Sequence, residues 1–373
     1  MSRDLDVFLS EISKTPWKNG IFAKQNWGIW LHRMSPFVGR IKPSFAHWLI
    51  RICTSKDDTI LDPFCGVGTI ILEANLLGRK VIGNDLNPYA FQISKAKFDR
   101  RGLENELKFL QSSEIEKHKI SLKNVPDWIK EYYHPETLRE ILAWKKLLVS
   151  KRRDFLLGCL LGIIHGHRPQ HLSIRTGYII PYIPKPKPKK EYREVRNRML
   201  RKVTRMYKDK FPINHNAKIL NQDTRNLRLK DKFVDVIISS PPYYHTLDYV
   251  HANRVRLWFC GLNEHQQENL RNKLIQQRNT YLKNMKVVGH KLKRILKDNG
   301  IIIFILGDVH TGKKTINTAE DIGHLFNEIG FVVHGIVRDE IPASRTTIVK
   351  FGGEDAIQRK RRKNDRILIM SKR

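Results

Sequence analysis

The sequence predicts an α/β fold built on a doubly wound, mainly parallel sheet, and three observations carry that prediction. Short apolar, β-branched runs end repeatedly in small or acidic residues: "TILD", "KVIGND", "AKILNQD", "FVDVIIS" and "GIIIFILGD". The last of these is apolar continuously rather than alternately, as a strand buried on both faces is. Helical stretches closed by glycine lie between the runs, in the order strand, glycine-rich loop, helix, strand, acid, helix.

Taken in order, "DDTILDPFCGVGT" (Asp57 to Thr69) is a strand running into a glycine-rich loop, and the helix "IILEANLLG" stops at Gly78. A second strand ends at Asp85, with Pro88 after it, and "AFQISKAKFDRRG" is a second helix. The alternation then breaks for about a hundred residues. Within that break "LKFLQSS" (Leu107 to Ser113) admits a strand, "PETLREILAWKKLLVSKRRDFLLGCLLGIIHG" is helical, "PYIPKPKPKK" is extended, and "EYREVRNRMLRKVTRMYKDKF" is a basic helix. The sheet resumes at "AKILNQD" and "FVDVIIS", a long polar helical region follows, and "GIIIFILGDV", "FVVHGIVRDEI" and "RILIMSK" complete seven strands. The last two are expected to pair antiparallel. The chain divides into a leader with a cofactor-binding half (1–110), a basic, mainly helical insert (111–215) and a catalytic half (216–373).

Composition narrows the partners. Sixty-nine Lys and Arg stand against 37 Asp and Glu, a formal net charge of +32 at pH 7. Such a field attracts a polyanion, and nucleic acid is the first expectation. From Lys185 to Lys210 twelve basic residues face three acidic ones. No apolar run is long enough for a membrane span, and "MSRDLDVFLSEISK" carries charges where a signal peptide is apolar, so no membrane partner and a cytoplasmic, prokaryotic or phage-type, nucleoid-associated location are expected. Cys53, Cys65, Cys159 and Cys260 form no CxxC pair, and His165, His167 and His171 in "HGHRPQH" lack acidic or cysteine partners, so no metal is expected.

Two stretches carry chemistry. In "DPFCGVGT", Gly66 and Gly68 let the backbone turn sharply and approach a ligand, and Thr69 opens the following helix, whose N-terminus favours a negative group. No Gly-Lys-Ser/Thr follows, which disfavours a nucleoside triphosphate site. Asp85, at the end of the next strand, is placed to accept from a ribose diol. In "IISSPPYYHTLD" (Ile237 to Asp248) an apolar strand stops at a Pro-Pro corner that removes two backbone donors and leaves rigid acceptors beside an aromatic ring.

"DPFCGVGT" with "GNDLNP", and later "SSPPY", resembles the S-adenosylmethionine-dependent amino-methyltransferases that act on exocyclic amines of nucleic-acid bases, whose motifs are written DPFxGxGT and [S/D/N]PP[Y/F/W]. The resemblance covers roughly Ile41 to Asp99 and Ala217 to Arg373. It implies a Rossmann-like seven-stranded methyltransferase sheet and S-adenosyl-L-methionine as cofactor. Asp62, Phe64, Gly66, Gly68 and Thr69 would surround the methionine part, Asp85 would take the ribose hydroxyls, Asp223 would lie by the adenine amine, and Pro63 and Asn87 would also bind the cofactor. Lys42 and Ser44 of "GRIKPSFAHWLIRI" would lie near the carboxylate end.

The resemblance also implies what the second corner does. A base amine is conjugated with its ring and a poor nucleophile. Acceptors at Ser240 and Pro241, held rigid by Pro242, would favour a tetrahedral nitrogen with a free lone pair, and Tyr243 would stack on a flipped-out base. Serine at the first motif position points to cytosine N4 in double-stranded DNA, compatible with a cognate restriction endonuclease. Many cytosine-N4 members carry the second motif first, however. Adenine N6, a tRNA guanosine-N2 type RNA enzyme, and a non-catalytic nucleic-acid-binding module stay open. Target contact is expected from Arg193, Arg196, Arg198, Arg201 and Lys202 of the insert, with Tyr244 and His245 beside the corner.

Overall fold

A computed structural model describes residues 4–176, 181–211, 217–242, 248–277, 279–311, 314–341 and 363–373. Among these, seven strands form one sheet: β1 (Thr59–Asp62), β2 (Lys80–Asn84), β3 (Lys218–Leu220), β4 (Val234–Ser239), β5 (Leu296–Gly307), β8 (Phe331–Ile341) and β9 (Lys363–Lys372), with β6 (Val309–Thr311) and β7 (Lys314–Ile316) in a separate hairpin. The order is β3-β2-β1-β4-β5-β9-β8. The first five strands run parallel, and β9 is antiparallel to both its neighbours, β5 and β8. This is the Rossmann-like methyltransferase architecture.

The strand order sets where a ligand fits. The chain builds β1, β2 and β3 outward on one side, then returns to lay β4 against β1. At such a reversal the connections leave in opposite directions, and a crevice opens beyond the carboxyl ends of the two central strands. Asp62 ends β1 and Ser239 ends β4.

Helices cover both faces. In chain order they are α1 (Leu5–Ser13), α2 (Pro43–Cys53), α3 (Thr69–Leu76), α4 (Pro88–Ala96), α5 (Leu103–Ser112), α6 (Asp127–Lys130), α7 (Pro135–Ser150), α8 (Asp154–Ile163), α9 (Val195–Met206), α10 (Tyr249–Phe259), α11 (Glu264–Lys273), α12 (Tyr281–Ile295) and α13 (Thr318–Glu328). One apolar core joins α2, α3, α4 and the helices of the insert to one face of the sheet; the other face packs on α12 and α13.

Two expectations change. "LKFLQSS" is not a strand: it lies in α5 up to Ser112, because Leu103, Leu107 and Leu110 recur at helical spacing and turn to the core. The long apolar stretch of the insert is two helices, α7 and α8, separated by a turn in which Arg152 has φ 49°. Every residue of α8 from Phe155 to Ile163 is buried. Glycines permit that depth. A Cβ on Gly158 would come 2.4 Å from the Ala96 Cβ of α4, and one on Gly162 would come 2.1 Å from the Met34 carbonyl oxygen. The insert is thus packed into the same core as the sheet.

Candidate active site

The glycine-rich loop is held from several sides. Asp85 accepts from the Gly66 amide through Oδ2 and the Asn87 amide through Oδ1, both at 2.8 Å. Ser94 Oγ donates to the Gly66 carbonyl at 2.7 Å, and the buried Lys97 ammonium donates to the Val67 carbonyl. Gly66 and Gly68 have φ of 52° and 74°, and a Cβ on Gly68 would lie 2.9 Å from Ser94 Oγ. Burial raises the Asp85 pKa to about 6 and lowers that of Lys97 to about 7.

Asp62 and the second motif meet directly. The Ser239 hydroxyl donates to Asp62 Oδ1 at 2.6 Å, and the Phe64 amide donates to the same oxygen at 3.2 Å. Asp62 is 2% exposed, and burial raises its pKa to about 7 against the opposing pull of the Ser239 bond. Asn84, at the end of β2, ties the third side: its Nδ2 donates to the Gln222 carbonyl at 3.0 Å and its Oδ1 accepts the Gln222 amide at 3.0 Å. That clamp sets the turn carrying Asp223, whose carboxylate is forked by the Arg225 guanidinium, with a closest approach of 2.5 Å.

These groups surround a cleft that is partly open to solvent. Of the residues named from the sequence, Asp62, Phe64, Gly66, Thr69, Asp85, Asn87, Asp223, Ser240 and Pro242 line it. Pro63, Gly68 and Pro241 are adjoining backbone positions outside the lining. Lys42 and Ser44 also fall outside, because Pro43 starts α2 and Ser44 turns into the core at 2% exposed. The wall from that stretch comes from Gly39, Arg40 and Ile41 instead, the three residues immediately before Lys42. Tyr243, Tyr244 and His245 lie outside the described residues.

Other wall residues carry no motif. Phe37 and Tyr249 stack with ring centroids 6.0 Å apart at 23°, and Lys273 to Ile275 close the side reached from α11. No local sequence signal marks either the pair or the second group.

Two buried polar atoms of wall residues, Thr69 Oγ1 and Asn87 Nδ2, have no hydrogen-bond partner among the described residues. A ligand with polar atoms facing the loop would satisfy them. Cys65, within the loop and the cleft lining, is buried, which pushes its thiol pKa well up and disfavours the thiolate a nucleophile needs. Among the described residues no group of three His, Cys, Asp or Glu could hold a metal, and no helix is long and apolar enough to cross a membrane.

The basic residues of the insert divide. Arg193 Nη1 donates to the His171 carbonyl at 2.8 Å, Arg196 Nη2 to the Ser113 carbonyl at 2.6 Å, and Lys202 Nζ to the Arg33 carbonyl at 3.0 Å. Arg198 is half-buried and bonds back to the Glu194 carbonyl at 3.2 Å. Arg201 is exposed.

The fold and cleft define a methyltransferase-like α/β protein. Residues 35–96 match the family described as DNA methylase, of the N6/N4 type. A tRNA (guanine(10)-N2)-dimethyltransferase of Methanothermobacter thermautotrophicus is 40% identical over 52 residues, 14% of this chain and 16% of that protein. The type II methyltransferase M.MjaII of Methanocaldococcus jannaschii is 27% identical over 97 residues, 26% of this chain and 18% of that protein. The chain therefore spans less than a fifth of the curated relatives it matches. Among solved structures, TrmN from Thermus thermophilus aligns with a TM-score of 0.36 and 13% identity over 92% of this chain and 52% of that one. A TehB-like methyltransferase from Corynebacterium glutamicum gives 0.34 and 11% over 88% and 87%. The family match and the type II relative support the DNA amino-methyltransferase family for this chain.

Proposed function

We propose that this chain is an S-adenosylmethionine-dependent methyltransferase acting on an exocyclic base amine of double-stranded DNA, with cytosine N4 as the target. The observation that carries the reading is the shared cleft: Asp62 of the first motif and Ser240 of the second line one cavity, and their strands are joined by the Ser239–Asp62 bond. Bound S-adenosylmethionine supplies a methyl group on a sulfonium, reactive toward an aligned nucleophile.

The residues divide the remaining work. Asp85 fixes the Gly66 loop and faces the ribose; Thr69 and Asn87 offer their unpartnered polar atoms to the ligand. Asp223 stands at the adenine end. The Ser240 hydroxyl and the Pro241 carbonyl accept the two amine hydrogens, favouring a tetrahedral nitrogen, and Pro242 holds those acceptors still before substrate arrives. Direct transfer needs alignment within the cleft and no covalent enzyme intermediate. Tyr243 takes the stacking role on an extruded base. The insert, 111–215, is the candidate target-reading region.

A second reading, guanosine N2 of an RNA, is favoured by the 40% identity over 52 residues with the archaeal tRNA enzyme. Incubation with labelled S-adenosylmethionine and either plasmid DNA or total tRNA, followed by mass spectrometry of the nucleosides, separates the two. N4-methylcytosine in DNA supports the first reading; N6-methyladenine moves the target to the other DNA amine; label confined to tRNA overturns the DNA reading.

A further inference from the structure

Outside the cleft, one cluster combines aromatic and basic groups in a way that packing leaves unexplained. From Ile12 to Lys56 the chain carries eight Lys or Arg and no Asp or Glu, although acids make up 37 of its 373 residues. At the middle of this stretch is the short turn Trp30–Arg33, and α9 lies against it. Three cations converge on the Trp30 ring: the Arg33 guanidinium at 4.8 Å, the Arg205 guanidinium at 5.6 Å and the Lys208 ammonium at 5.8 Å from its centroid.

The cluster is braced rather than loose. Lys202 Nζ donates to the Arg33 carbonyl at 3.0 Å, and the Trp30 amide donates to Asp209 Oδ2 at 2.5 Å. Arg33 Nη2 donates to the Asn26 carbonyl. Among the described residues neither Arg205 nor Lys208 has an ion-pair partner, so a ring quadrupole offsets part of the repulsion of three cations with one carboxylate nearby. A guanidinium stacked on a ring keeps its in-plane N–H groups directed away from it, the geometry that forks a phosphate.

We propose that the Trp30 cluster is a phosphodiester-binding patch for the DNA whose base enters the cleft. It rests on the DNA reading above. The same leader that carries Trp30 supplies Phe37, Gly39, Arg40 and Ile41 to the cleft wall. The seven Cα–Cα steps from Trp30 to Phe37 span at most about 25 Å even when fully extended, less than one turn of duplex, about 34 Å. A duplex that extrudes one base into the cleft and runs toward Trp30 would bring its phosphates within reach of Arg205 and Lys208.

The test compares the full chain with its Arg205→Ala/Lys208→Ala double variant, measuring anisotropy of a labelled DNA duplex across about 50 to 200 mM salt. The proposal expects the log–log salt slope to fall by about two, one per contact, and affinity to drop roughly tenfold. Cofactor-product affinity and melting temperature should match wild type. Trp30→Leu, which keeps apolar bulk, should weaken DNA binding too. If wild type binds and methylates DNA while the double variant keeps its slope and affinity, the patch is wrong and the DNA reading stands. If wild type binds cofactor but not DNA, both fall. Loss of affinity for an RNA hairpin with DNA binding unchanged overturns the assignment to DNA.

Discussion

The Ser239 hydroxyl donates to Asp62 Oδ1 at 2.6 Å, linking the last residue of β4 to the last residue of β1 across the centre of the sheet. Both residues are buried, at 0% and 2% exposed. Each begins a loop that lines the cleft from a different side. Ser239→Ala leaves a buried carboxylate short of a donor, so stability should fall by about 1–3 kcal/mol in urea titration. Turnover should fall with it, since the two loops lose their common anchor.

The same carboxylate gives a pH dependence. Burial holds the Asp62 pKa at about 7, above its ordinary 3.8, so the folded state binds a proton that the unfolded chain has released. Between these values the native form holds more protons, and stability declines as pH rises from about 4 to 7. Asp62→Asn removes the ionisation and should flatten that segment of the stability curve. An undiminished slope in the variant would assign it to other groups.

Gly68 and Gly66 should respond unequally to alanine. At Gly68 the φ of 74° and contacts of 2.9 Å to Ser94 Oγ and 3.0 Å to Ile71 Cδ1 oppose any Cβ; at Gly66 the nearest atom, Phe37 Cε1, is 3.4 Å away. Gly68→Ala should cost about 1–3 kcal/mol and weaken cofactor binding in calorimetry. Gly66→Ala should cost less in stability while altering the cleft wall itself.

Asp85 and Ser240 separate binding from chemistry. Asp85→Ala frees the Gly66 and Asn87 amides that its two oxygens hold, so S-adenosylmethionine affinity should fall about tenfold or more. Asp85→Asn keeps one acceptor and should fall between. Ser240→Ala leaves the loop untouched: cofactor affinity should persist while kcat drops roughly a hundredfold. Retained turnover would remove the serine from the mechanism.

How far these residues were visible in the sequence follows from how local each signal is. The strand–loop–helix of Thr59 to Leu76 was legible because a parallel strand is a continuous apolar run and its glycines are forced by backbone angles. Asp62, Asp85 and Ser240 were legible because each stands at a strand end. "LKFLQSS" misled because a window opening at Leu107 hides the i, i+4, i+7 pattern that starts at Leu103. Tyr249 and Lys273 reach the cleft from helices remote in sequence, and only the folded chain brings them there.

The arginines in and just before α9 make the hardest case, since composition cannot separate a residue that braces the fold from one that meets a ligand. Arg193 donates to the carbonyls of His171 and Ser173, closing the loop between α8 and α9. Arg196 reaches the Ser113 carbonyl and lies 5.6 Å over the Trp144 ring. Arg201 is exposed. Replacing Arg193 or Arg196 with alanine should lower stability by about 1–3 kcal/mol and leave the salt slope of DNA binding near wild type. Arg201→Ala should do the reverse, with an unchanged denaturation midpoint and a slope reduced by about one. Parallel denaturation and salt titrations of the three variants distinguish the two roles. A lowered slope for Arg193→Ala at wild-type stability would mean that its guanidinium leaves those carbonyls for phosphate when DNA binds.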